Sequence, residues 1–132
     1  MSQENVEIVR RAHAGVTVTR VLPPELFGAE FELDAREVSP DFGIVQGYEA
    51  SQAAFASYWE TFEDFQTEVE EVLHADDEQV VTAIRDGGRI KGSDADVQNR
   101  YFHVWAFRNG RAIRLSIYGD KDRALEAAGL SE

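Results

Sequence analysis

The stretch QNRYFHVWAFRNGRAIRLSIYGD, residues 98–120, decides the fold. Two apolar-rich runs flank Asn109-Gly110. Both of those residues tolerate the positive φ of a type I′ turn, so the stretch predicts a two-residue β-hairpin. With Arg108 opposite Arg111, a regular register sets Trp105 against Arg114, His103 against Ser116 and Tyr101 against Tyr118. The other face then carries Phe102, Val104 and Ala106 against Ile117, Leu115 and Ile113. One face is aliphatic or Phe; the other is aromatic and carries hydrogen-bonding groups. Neither is a plain solvated surface, so both need cover, and the polar-aromatic face is the expected wall of a pocket.

Upstream, Gln66–His74 and Gln79–Arg85 read as two further strands joined by the acidic turn Asp76-Asp77-Glu78, with Asp86-Gly87-Gly88 as a turn or bulge. Tyr48–Phe62 reads as a helix with Phe55, Tyr58, Trp59 and Phe62 in one aromatic stripe. Glu30–Val38 alternates as a strand: Phe31, Leu33 and Ala35 point one way, Glu32, Asp34 and Arg36 the other. A first helix spans about Gln3 to Arg20, with Val6, Val9, His13 and Val16 on its apolar side, and Pro23-Pro24 stops it. Pro24–Phe27 suits a short second helix, Ile44-Val45 a short strand, and Lys121–Ala128 a last helix closed by Gly129. Helices segregated from an antiparallel meander define an α+β domain occupying residues 1–132.

The 132 residues hold no cysteine, which excludes disulfides and thiolate chemistry and fits a cytoplasmic location. The net charge is −12, with 25 acidic against 13 basic residues, and Arg10-Arg11 is the one adjacent basic pair. A nucleic-acid partner is not expected, because such a partner needs a basic footprint. No apolar run is long enough to span a bilayer, so no membrane partner is expected either. The acidic runs lack metal-ligand spacing, and no metal is expected.

Three segments carry a resemblance: Asn5–Ala12 (NVEIVRRA), Gln46–Ala50 (QGYEA) leading into the aromatic helix, and His103–Arg111 (HVWAFRNGR) followed by Tyr118-Gly119-Asp120. With the closing Arg123–Leu130 they resemble the SnoaL-like branch of the nuclear transport factor 2-like superfamily, particularly its actinobacterial members. The resemblance implies a cystatin-like α+β barrel, a cone-shaped curved antiparallel sheet wrapped around the N-terminal helices. It also implies a hydrophobic pocket, frequent dimers and no cofactor. Polyketide cyclases and ketosteroid isomerases are among its members. By their pattern, the pocket carboxylate of the penultimate strand falls on His103, the aromatic hydroxyl of the first helix on His13, and the isomerase base near Asp34.

Each candidate has two readings. His103 is a general acid/base, or a buried neutral imidazole satisfied by Ser116. His13 faces the pocket or is a core histidine. Asp34 is the candidate base, its pKa raised beside an aromatic wall, or it pairs with Arg36. Tyr118 suits an oxyanion donor, and Arg114 either meets the substrate or stacks on Trp105. Tyr101 shares their face, and Phe55, Trp59, Phe62 and Trp105 form the apolar wall or simply the core. The expected function is a small-molecule pocket with cofactor-free acid/base chemistry, of isomerase, cyclase or hydratase type, on a hydrophobic carbonyl or polycyclic substrate. The alternative is a non-catalytic ligand-binding or dimeric scaffold protein. A homodimer is expected through Phe102, Val104, Ile113, Leu115 and Ile117, an apolar face too large to leave bare.

Overall fold

The computed structural model describes residues 2–39, 41 and 43–130. The elements follow in chain order: α1 (Ser2–Thr19), a 3₁₀ turn (Pro24–Leu26), β1 (Phe27–Asp34), β2 (Ile44–Gln46), α2 (Tyr48–Trp59), β3 (Gln66–Ala75), β4 (Gln79–Arg89), β5 (Asp96–Arg108), β6 (Arg111–Tyr118) and α3 (Lys121–Ala127). One six-stranded sheet has the order β2-β1-β6-β5-β4-β3. All its pairs are antiparallel except β1 with β6, which is parallel and departs from the all-antiparallel expectation. The chain reaches β1 before the meander and lays it beside the last strand, so the sheet is mixed.

On α1, Val9, Ala12, His13 and Val16 fall at spacings of three and four and are all buried against the sheet. Polar clasps hold the helix there. The Asn5 side-chain amide donates to the carbonyls of Asp76 and Asp77, at 3.0 and 3.1 Å. Thr17 Oγ1 donates to the Thr67 carbonyl and accepts from the Thr67 N–H, both at 3.1 Å. Arg20 leaves the helix at φ 62°, and its guanidinium caps the Val16 and Thr17 carbonyls. At the other end of the chain, Gly129 (φ 77°) closes α3 with bonds from Gly129 N to Glu126 O and from Leu130 N to Leu125 O, a Schellman motif.

Asn109-Gly110 forms the expected turn, with φ of 54° and 76°, and Arg108 pairs with Arg111. Beyond Phe107 the register shifts by one. Phe107 faces Ala112, but Ala106 faces Arg114, so Ile113 is an extra, bulged residue. From there Trp105 pairs with Leu115, His103 with Ile117, Val104 with Ser116 and Phe102 with Tyr118. A one-residue slip sends each side chain to the opposite face. Leu115 and Ile117 therefore join Trp105 and His103 inside, at 2% and 8% exposure, and Arg114 and Tyr118 go outside. The regular register would have buried the Arg114 guanidinium beside Trp105, a far larger cost than a local bulge.

The expected dimer face is corrected by the same shift. Leu115 and Ile117 belong to the core and cannot contribute to an outer apolar patch, which keeps only Phe102, Val104 and Ile113. Further irregularities bend the sheet into a cone: two bulges in β3 against β4 and a shift between β1 and β6. Asp86-Gly87-Gly88 is neither turn nor break, because β4 runs through it to Arg89. A Cβ on Gly87 would lie 1.9 Å from the Val97 carbonyl oxygen, so this strand crossing admits only glycine. The second helix stops at Trp59, and Phe62 bridges to Ile90 beyond it. Among the described residues no helix is long and apolar enough to cross a membrane.

The bulge has a measurable consequence. Leu115→Ala should cost about 2–5 kcal/mol in urea unfolding, as expected for a buried leucine. Val104→Ala, on the half-buried outer face, should cost less than about 1.5 kcal/mol. Equal losses would indicate the regular register, in which the two side chains are opposite one another.

Candidate functional site

Between α1, α2 and the concave face of the sheet lies a cavity of about 270 Å³. Its walls are largely apolar, with Phe55, Trp59, Phe65, Leu33, Leu115 and Ile117 among them. Phe55 and Trp59, four residues apart on α2, stack with ring centroids 5.5 Å apart. Two groups of polar side chains interrupt this surface.

The first group is His13, His103 and Trp105. Alternation along β5 turns Tyr101, His103, Trp105 and Phe107 to the concave side, and the apolar stripe of α1 brings His13 across to meet them. The imidazoles stack at 5.8 Å and 20°. Trp105 lies edge-on to His103 at 6.4 Å. His13 Nδ1 shares a 2.8 Å hydrogen bond with Thr67 Oγ1. His13 Nε2, His103 Nδ1 and Trp105 Nε1 are buried and find no partner among the described residues. Burial lowers the pKa of His13 to about 4 and that of His103 well below its ordinary value, with His13 itself adding to the second shift. Both rings are neutral at pH 7, each with one N–H donor and one acceptor nitrogen.

The second group centres on Asp86. The alternation Thr82, Ile84, Asp86 along β4 turns this carboxyl inward, opposite Asn99 on β5 and Thr67 on β3. It is 8% exposed. Tyr58 Oη donates to Asp86 Oδ1 at 2.9 Å, and Asn99 Nδ2 donates to Tyr58 Oη at 3.0 Å. The amide thus occupies a phenol lone pair and leaves the phenol proton for the carboxylate. No ion pair among the described residues engages Asp86. Burial without a counter-charge pushes its pKa up to about 6, against the lowering effect of hydrogen bonds from Tyr58 and Asn99. Burial and the neighbouring Asp86 also raise Tyr58 and Tyr101.

Of the ten residues singled out from the sequence, His13, His103, Phe55, Trp59, Tyr101 and Trp105 line the cavity. The other four do not. Asp34 lies on the outer side of β1, where Arg36 Nε and Nη2 donate to its two oxygens at 2.9 and 2.8 Å and Arg114 Nη2 adds a third bond at 2.9 Å. Those partners, Arg36 foremost, hold its pKa down to about 2, the opposite of what a base needs. Arg114 therefore neither stacks on Trp105 nor faces the cavity. Tyr118 is carried outside with it, and Ser116 cannot satisfy His103, whose neighbour is Ile117. Phe62 packs behind the wall, edge-on to Tyr58 at 5.4 Å.

Asp86, Tyr58 and Thr67 were not singled out as candidates. Asp86 was hidden by the glycines after it, which read as the end of a strand. Extending the two-residue alternation from Thr82 and Ile84 one step further would have found it.

The helices, the mixed sheet and the cavity between them define a SnoaL-like domain, and the chain belongs to that family, whose pattern matches residues 23–115. Three solved structures show the same fold. Bal32a, from a soil-derived mobile gene cassette, is 24% identical with a TM-score of 0.77, covering 96% of each chain. A candidate SnoaL-like polyketide cyclase from Jannaschia is 21% identical with a TM-score of 0.75, over 98% of this chain and 92% of that one. A protein of ketosteroid isomerase-like fold from Catenulispora acidiphila, solved with trimethylamine, is 19% identical with a TM-score of 0.73, over 94% and 93%. No curated protein matches the chain in sequence.

Two titrations follow from these environments. The Asp86 carboxyl carbon should titrate near 6 by NMR, and Tyr58→Phe should move it higher by removing a donor to the ionised form. Because the folded pKa lies above the ordinary value, Asp86 stabilises the fold fully at low pH and loses that contribution as pH rises through about 6. Asp86→Asn should flatten the stability profile between about pH 4 and pH 7 by on the order of 2–3 kcal/mol. Asp34 behaves oppositely. Its contribution is present above the ordinary carboxylate pKa and disappears as pH falls through about 2. Asp34→Ala should therefore destabilise the protein at pH 7 by about 1–3 kcal/mol in urea unfolding, and by less in strong acid.

Proposed function

We propose that this protein is a cofactor-free acid–base enzyme, of the isomerase, cyclase or hydratase type, acting on a hydrophobic small molecule that carries a carbonyl oxygen. The observation that carries the proposal is a buried carboxyl, Asp86, with no counter-charge and a proton affinity near neutrality. It shares one largely apolar cavity with two neutral imidazoles and an indole, each with one ring nitrogen that has no partner among the described residues. A carboxyl with a pKa of about 6 can both take and return a proton near pH 7. Asp86 is the proton carrier, replacing Asp34 in that role, and Tyr58 orients it. His13, His103 and Trp105 hold the oxygen.

A neutral imidazole suits this task better than a charged one. Its N–H polarises a carbonyl without placing a full charge in an apolar site, and fixed donors stabilise negative charge as it develops. Phe55, Trp59 and Leu115 enclose the apolar body and exclude water, which strengthens those interactions.

Deuterium uptake from D₂O into cyclic enones, followed by NMR, tests the proposal. Exchange should be at least about 10²-fold faster with the wild type than with Asp86→Asn. Its kcat/KM should rise with pH through about 6, since the base must be ionised. The second reading, a binding protein without turnover, rests on the same cavity. It prevails if enones perturb the His103 and Trp105 resonances while wild type and Asp86→Asn exchange deuterium equally slowly.

A further inference from the structure

The two polar groups of the cavity differ in what they demand of a ligand. The Trp105 indole N–H can only donate, so the ligand group beside it must accept. The flanking imidazoles are neutral and can each add a donor or an acceptor. At the other group the requirement is reversed. An ionised Asp86 can only accept, the one proton of Tyr58 is already committed to Oδ1, and the Tyr58 oxygen already accepts from Asn99. A ligand group arriving there must donate.

The strand register supplies the spacing. Asp86 faces Asn99, and His103 lies four residues further along β5 on the same face. At about 3.3 Å per residue the two positions are roughly 13 Å apart along the backbone. The concave curvature draws the side chains of this face toward one another. Phe55 and Phe65 line the cavity as an apolar wall with no polar group of their own.

We infer that the pocket takes a bifunctional molecule, an apolar body with an acceptor oxygen at one end and a hydroxyl at the other. The oxygen is held by Trp105, His103 and His13, and the hydroxyl is seated on Asp86. The inference rests on the proton-transfer reading of this cavity and adds the substrate's polarity and orientation to it. The His103 and Trp105 nitrogens without a partner among the described residues at one end, and a carboxylate without a counter-charge among them at the other, set the order of the two groups by donor and acceptor chemistry. Reversing the molecule would still let the hydroxyl oxygen accept from the indole N–H, but it would set carbonyl oxygen against carboxylate oxygen and leave that end unsatisfied.

Three probes of one shape test this: 4-hydroxybenzylideneacetone, which carries both groups; benzylideneacetone, which has only the acceptor; and 4-(1-butenyl)phenol, which has only the donor. Calorimetric titration above pH 6, where Asp86 is ionised, should show the first binding at least about tenfold tighter than either other. Asp86→Asn should remove the gain due to the hydroxyl and Trp105→Phe the gain due to the ketone, each sparing the other. In the wild type, the two ketones should shift the Trp105 indole N–H resonance and the butenylphenol should not, a readout that needs no folded variant. Equal affinities for all three, no binding by any, or an indole shift produced by the phenol alone would each overturn the inference. Binding in the predicted order with no deuterium exchange would leave it standing and remove only the catalytic reading. Exchange with equal affinities would do the reverse.

Discussion

One extra residue on β6 governs the interior of this protein. The hairpin at Asn109-Gly110 must present Trp105 and His103 inward, and β6 must match them with apolar partners while keeping Arg114 in contact with water or a carboxylate. A regular ladder cannot do both, because side chains alternate strictly along a strand. Bulging at Ile113 resolves the conflict by changing the phase of everything after it. Leu115 and Ile117 become cavity wall, and Arg114 reaches Asp34 on the outside. The same distortion adds to the curvature that opens a cavity beneath the helices.

The cavity's chemistry follows from the burial of its titratable groups. A charged form loses hydration on entering such a space, and nothing basic compensates, so each titratable group there shifts toward its neutral form. Both imidazoles become poor bases and Asp86 becomes a weaker acid. On the outer side of the same sheet, two guanidiniums drive Asp34 the other way. These two carboxyls, on strands of one sheet, differ in proton affinity because one faces a cavity wall and the other faces arginines.

That contrast explains how far the sequence could be read. Asn109-Gly110 marked the turn, Phe31-Leu33-Ala35 the buried face of β1, and the aromatic spacing in 48–62 marked α2, which ends at Trp59, each by local stereochemistry or periodicity. His13 and His103 were legible as cavity residues because helical spacing and strand alternation aim them inward. Asp34 was legible as a polar-face residue that could pair with Arg36, as it does, but its second arginine, Arg114, lies 80 positions away and was not. Asp86 was obscured by two glycines that resemble a turn and serve instead as a close strand crossing.

The sequence by itself determined the order of elements, the inward faces of α1, β1 and β5 and the resemblance to the SnoaL-like family, because these are written in local dihedral preference, the period of apolar residues and short motifs. Only the tertiary structure decided which carboxyl is dry and which side of β6 looks inward. A bulge and a desolvation energy are properties of what surrounds a residue, and that is settled when distant strands and helices close over it.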